Sequence, residues 1–177
     1  MNTQRRKSIR KRVEALLSEH SVTTAPVPVE RIAKRLGARL RFQPLDDELS
    51  GMIYVKDGLP IIGVNSLHHP NRQRFTIAHE CGHLLLHRDQ ISKEVHVDKG
   101  FPMSALMRDT VSSTGEEEIE VQANFFAAEL LMPVPFLVEA IGEETIDIDD
   151  DGAVSSLAKT FKVSPSAMKF RIGNLLA

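Results

Sequence analysis

Tryptophan is absent from this chain, and tyrosine and cysteine occur once each. The lone cysteine, Cys81, cannot close an internal disulfide, so stability has to come from packing and from any bound metal; a single thiol also fits a reducing compartment. No run of 18 or more consecutive apolar residues is present to span a bilayer, and the opening MNTQRRKSIRKRVEALLSEH lacks the apolar stretch of a signal peptide. A cytoplasmic setting without a membrane partner is therefore expected. An excess of one charge is missing as well: 22 Lys and Arg face 24 Asp and Glu, a formal net charge of -2. Such a surface has no global attraction for nucleic acid or anionic lipid, so any contact of that kind needs a local patch. What is present, 42% apolar residues in 177, suffices for one buried core.

Ile9, Val13, Leu16 and Leu17 recur at helical spacing, which predicts an amphipathic opening helix over 5–19 with a basic, solvated face. PVPVERIAKRLG reads as a short second helix entered through prolines and stopped at Gly37. In ARLRFQPL, Leu40 and Phe42 alternate with arginines, the pattern of a half-buried strand. SGMIYVKDGLPIIGVN holds two β-rich runs joined at Asp57-Gly58, a hairpin signal, so a small, mostly antiparallel sheet is expected there. Residues 71–88 form a long helical pattern with Asn71 as its candidate cap. Periodicity is lost over about 92–115, read as a long loop, and returns at 116–132 in a helix with an acidic start. A further helix is expected at 134–141. The last segment, AVSSLAKTFKVSPSAMKFRIGNLL, reads as two short helices broken near Val163-Ser164-Pro165. The expected organisation is a core over 1–145 with a C-terminal helical segment, 146–177, packed on it.

The chemistry is concentrated in HECGH. His79 and His83 are four residues apart on a helix, so their imidazoles project from one face and can reach a single ion. Glu80, about 100° round the helix, can face a metal-bound water from outside the coordination sphere, the position of a general base. A catalytic zinc takes three protein ligands and keeps one open position. The extended pattern HExxHxxGxxH fails, because Leu86 and Asp89 stand at its glycine and third-histidine positions. A glutamate on a later helix remains. Glu120 is preferred over Glu116, Glu117, Glu118 and Glu129, since it lies inside the helix on one face with Asn124 and Ala127. Asn124, one turn on, is placed to hydrogen-bond a histidine's other ring nitrogen. His87 extends the histidine stripe by a turn and is expected at the surface or beside the ligands. Cys81 points away from the histidines and is expected to be buried packing.

FTIAHECGHLLLH followed by EVQANFFAAELLMP resembles the ImmA/IrrE family of metallopeptidases. The family pattern pairs the HExxH helix with a glutamate before an Ala-Asn-x-Phe-Ala run and a Leu-Leu-Met-Pro ending. In this chain those features fall on Glu120, Ala123, Asn124, Phe126, Ala127, Leu130, Leu131, Met132 and Pro133. The resemblance extends over about residues 25 to 175. It implies an α+β fold, mainly helical and zincin-like with a small sheet, ending in a part similar to a helix-turn-helix. It also implies a Zn2+ cofactor and cleavage of a protein substrate, a helix-turn-helix repressor, in mobile-element immunity or stress responses.

The expected chemistry is peptide hydrolysis, with zinc activating a water and Glu80 carrying its proton to the leaving amine. His87 and Tyr54 are weak candidates for stabilising the oxyanion. Zincins bind extended substrates along a sheet edge, so one strand of the 51–64 hairpin is expected to form that edge. The alternative is a non-hydrolytic regulatory or DNA-binding protein with a structural zinc. Direct DNA binding is disfavoured because the C-terminal segment carries only Lys159, Lys162, Lys169 and Arg171, beside the acidic DIDDD run.

Overall fold

The chain runs α1 (Thr3–Glu19), α2 (Val29–Arg35), β1 (Arg39–Gln43), β2 (Gly51–Lys56), β3 (Leu59–Asn65), α3 (Pro70–Leu86), α4 (Arg88–Ile91), β4 (His96–Asp98), α5 (Gly115–Leu131), α6 (Val134–Ile141), α7 (Asp151–Phe161) and α8 (Pro165–Leu176). The structure, a computed structural model, describes residues 1–91, 96–98, 115–142 and 146–176. The mainly helical α+β class expected from the sequence holds. Most of the loop expected over 92–115 lies outside the described residues, but 96–98 form a strand, pulled from irregular sequence by pairing with β2.

Local signals explain most of the boundaries. Asn2 caps α1, its side chain accepting from the Arg5 N–H at 2.8 Å, and Ile9, Val13, Leu16 and Leu17 form the buried stripe. Gly37 ends the second helical segment at φ +86°, a conformation that costs glycine little. The two-residue turn between β2 and β3 has positive φ at both Asp57 and Gly58, as the type I′ hairpin requires. The cap of α3 is His69 rather than Asn71: His69 Nδ1 accepts from the Asn71 N–H, and Pro70 fills the first helical position. Asn71 serves instead in a long-range contact, donating through Nδ2 to the Val163 carbonyl at 2.9 Å.

The sheet order is β1-β3-β2-β4. β2 is antiparallel to both β3 and β4, whereas β1 lies parallel to β3, so the sheet is mixed. Of the two hairpin strands, β3 is interior, and β2 is paired on its outer side by β4 over Gly51–Ile53, so among the described residues only its second half lacks a neighbouring strand there. β1 ends the described sheet order, and along it only Leu40 is half-buried, so its faces are little covered and Phe42 is 51% exposed where the alternation suggested burial. α3 packs on β2 and β3 and, on another side, against α5, while α2 packs on α3 and β1.

The apolar stretch Glu118–Ile141 matches a membrane span in length and mean hydropathy, but it crosses two helices separated by Pro133 and is mostly buried in the core. The C-terminal helices break at 162–164, where Lys162 takes a left-handed conformation. They are tied to the rest through a buried ion cluster. Arg171 on α8 donates to both Glu129 carboxylate oxygens, at 2.8 and 2.6 Å, and to the Met132 carbonyl. Arg10 on α1 reaches the same carboxylate at 2.8 Å. Glu129 thereby holds α1 and α8 onto α5.

Candidate metal centre

The middle of α3 is wholly enclosed, from Thr76 through Leu84. Burying imidazoles and a carboxylate there is costly unless they are paired or hold an ion. His79 and His83 lie one turn apart with their Nε2 atoms 3.0 Å from each other. From α5, Glu120 completes a triangle: Oε2 is 3.3 Å from His79 Nε2, and Oε1 is 3.2 Å from His83 Nε2. All three ligand atoms fall within 4.8 Å of one another, a set that could hold a metal ion. Two neutral nitrogens and one carboxylate suit Zn2+, and Glu120, the most exposed of the three, marks the side open to solvent.

The second nitrogen of His79 decides its tautomer. Asn124 Oδ1 lies 3.0 Å from His79 Nδ1, so Nδ1–H donates and the Nε2 lone pair faces the other two donors. Asn124 is 3% exposed, so this contact is well shielded. The structure thus brings together His79, His83, Glu120 and Asn124.

Glu120 reaches the histidines because α3 and α5 touch closely. A Cβ added at Gly82 would lie 3.1 Å from Ala123 Cα and 3.2 Å from both the Ala123 carbonyl oxygen and Phe126 Cδ1. Gly82 follows His79 by three positions, and Ala123 follows Glu120 by three, so the two small residues set the ligands face to face.

Glu80 is fully buried. The start of β2 passes beside it: a Cβ built on Gly51 would stand 3.5 Å from Glu80 Oε1, 2.8 Å from the Gly63 carbonyl and in collision with Thr76 Cγ2. Gly51 and Thr76 escaped sequence reading. The available signal was the i, i+4 spacing of Thr76 and Glu80, which puts both on the face toward the sheet. Because Gly51 directs its Cβ position toward α3, the alternation of β2 sends Tyr54 to the other face, away from Glu80. Tyr54 is therefore excluded from the oxyanion role.

His87 is buried rather than at the surface, with its ring 5.7 Å from that of His83. It lies outside the three-donor cluster and lines an open cavity of about 680 Å³ together with Arg5, Arg88, Asp89 and Glu118. Cys81 is fully buried, as expected; burial, aided by the neighbouring Glu80 charge, pushes its thiol well above the ordinary range and keeps it protonated.

A buried HExxH helix facing a glutamate from a second helix is a candidate metal site on an α+β scaffold. The model of the peptidase family described as the IrrE N-terminal-like domain matches residues 33–173, and the chain belongs to this family. The radiation response metalloprotease IrrE of Deinococcus radiodurans is 33% identical over 114 residues, which are 63% of this chain and 30% of that protein. A solved structure of a Mycobacterium tuberculosis transcriptional regulator shares the fold at TM-score 0.61 and 19% identity, covering 93% of this chain and 46% of that one. The chain thus spans less than half the length of either relative.

Proposed function

We propose that this chain is a cytoplasmic zinc endopeptidase that hydrolyses a peptide bond in a helix-turn-helix transcriptional repressor and so regulates mobile-element or stress-response genes. The observation that carries the reading is the buried pair His79 and His83 facing Glu120, with Glu80 next to the first ligand in the chain. The metalloprotease named among the relatives supports the same class of reaction. His79, His83 and Glu120 would hold the metal, and Asn124 orients His79. When bound, zinc supplies a Lewis acid that makes a water nucleophilic near neutral pH. Glu80 would serve as the general base toward the attacking water and would return the proton to the leaving amine nitrogen.

The C-terminal pair of helices fits a bracing role better than DNA contact, and we take 146–177 as a brace on the core over 1–145. Arg171 is turned inward onto Glu129, and Lys169 faces Asp149 and Asp151 at 3.5 and 3.7 Å, leaving few cations for phosphate.

The test is cleavage of a purified helix-turn-helix repressor by the zinc-loaded protein, comparing wild type with Glu80→Ala and Glu120→Ala. Cleavage should vanish in both variants, with zinc retained by Glu80→Ala and weakened in Glu120→Ala. Tight binding of zinc and repressor by the wild type without any cleavage would replace the peptidase with a non-hydrolytic regulator.

A further inference from the structure

β2 passes beside Glu80 at Gly51, where an added Cβ would stand 3.5 Å from Glu80 Oε1. One side of β2 pairs with β3 over its whole length, Gly51 to Lys56. The other side pairs with β4 only over its first half, Asp98 opposite Gly51, Val97 opposite Met52 and His96 opposite Ile53. Among the described residues no strand pairs with Tyr54–Lys56 on that side. β4 therefore occupies the part of the edge beside the candidate base, and among the described residues the distant part has no paired strand.

A three-residue strand at a sheet edge is weakly held, because it gains few ladder bonds and each contributes little net free energy. Its tether is short: Ile91, the last residue of α4, is buried, and four residues separate it from His96. An extended peptide joining a sheet by strand addition uses the same row of backbone N–H and C=O groups that β4 now engages. β4 also runs antiparallel to β2 and has its end, Asp98, opposite the residue that faces Glu80.

Building on the reading of the chain as a peptidase whose extended substrate joins a sheet edge, we propose that β4 is a strand of the chain's own that occupies this edge at Gly51–Ile53, and that a substrate segment must displace it. Resting activity is then low toward weakly binding peptides and rises when a substrate outcompetes β4.

The probe is a fluorescein-labelled peptide of residues 94–100, EVHVDKG, titrated into zinc-loaded Glu80→Gln protein with and without Val97→Pro. Proline removes the N–H at the centre of β4 and its place in the ladder. Vacating the edge should tighten peptide binding about tenfold, and with Glu80 intact Val97→Pro should speed digestion of labelled casein by about the same factor. Equal peptide affinity in the two backgrounds, with both folded, overturns the proposal. If Val97→Pro does not fold, hydrogen exchange of the wild type decides: amides at 51–53 and 96–98 exchanging as fast as open chain overturn it, and protection at both supports it. Tighter peptide binding without casein digestion by any variant upholds the docking edge and counts against the peptidase. Casein digestion by the wild type, unchanged in Val97→Pro alongside equal peptide affinity, leaves the peptidase standing and removes β4 from the edge.

Discussion

Replacing Gly82 by alanine asks whether the close approach of α3 and α5 seats the third ligand. The new methyl would lie 3.1 Å from Ala123 Cα and 3.2 Å from the Ala123 carbonyl oxygen, inside ordinary contact. Both are backbone atoms of a packed helix, and the third neighbour, Phe126 Cδ1 at 3.2 Å, belongs to a fully buried ring. None can swing aside, so α5 has to shift by a few tenths of an ångström. Overpacking of this kind costs about 1–3 kcal/mol. Alanine returns about 0.5–1 kcal/mol by its better helix propensity. The net loss is about 1 kcal/mol, or about 2–4 °C in the Tm of the metal-free protein at this chain length. The metal feels the shift more sharply, since Glu120 sits one turn from Ala123 and moves with it. Zinc affinity should fall about tenfold, the equivalent of about 1.4 kcal/mol. Competition against a chromogenic chelator measures that affinity, and calorimetry in EDTA measures the metal-free Tm. Unchanged zinc affinity together with an unchanged Tm would refute the idea that Gly82 sets the position of Glu120.

Asn124→Ala should weaken zinc binding about 10- to 100-fold, because His79 loses the partner that orients it, and should cost the metal-free protein about 1–3 kcal/mol, because the lost hydrogen bond is buried; chelator competition and a melt in EDTA check the two. Zinc binds only the folded site, so at a free concentration 100 times its Kd it should stabilise the protein by about 2.7 kcal/mol, and EDTA should reverse the gain in a thermal melt. Arg171→Met leaves the Glu129 carboxylate buried with only Arg10 and should cost about 3–5 kcal/mol in urea unfolding at neutral pH. Burial raises the Glu129 pKa, but the hydrogen bonds and charges of Arg171 and Arg10 outweigh it and hold the carboxyl below its ordinary 4.5. A depressed folded pKa stabilises the protein above the unfolded value, and the contribution is lost as pH falls through the folded one. Thermal melts of the wild type should therefore decline with acid below about pH 4.5, and Glu129→Gln should be destabilised at neutral pH with a shallower acid limb.

The brace at Glu129 and the candidate ligand at Glu120 lie on the same helix with different partners. Glu129 meets two arginines from α1 and α8, and its role is structural. Glu120 meets two histidines, and its carboxylate is the more exposed of the two. Glu120, preferred among the five candidate glutamates for its helix face, lies beside both histidines, and Asn124, one turn on, reaches His79.

Signals confined to one element were readable from the residues alone. The four-residue spacing of His79 and His83, the Asp57-Gly58 turn and the apolar stripe of α1 each depend on backbone geometry within a few residues, which the side chains themselves dictate. The pairing of α3 with a glutamate 37 positions beyond His83 became legible through the second motif, because the resemblance joins the two helices that packing brings together. Tertiary structure alone decided the rest. The position of β4 on β2, the parallel placement of β1 and the turning of Tyr54 away from Glu80 all depend on which strands become neighbours. Strand order is set by burial summed over the whole sheet, and a strand's own residues carry its alternation but not the identity of its partners. The same holds for Gly51, whose missing side chain acquires meaning only where another element comes against it.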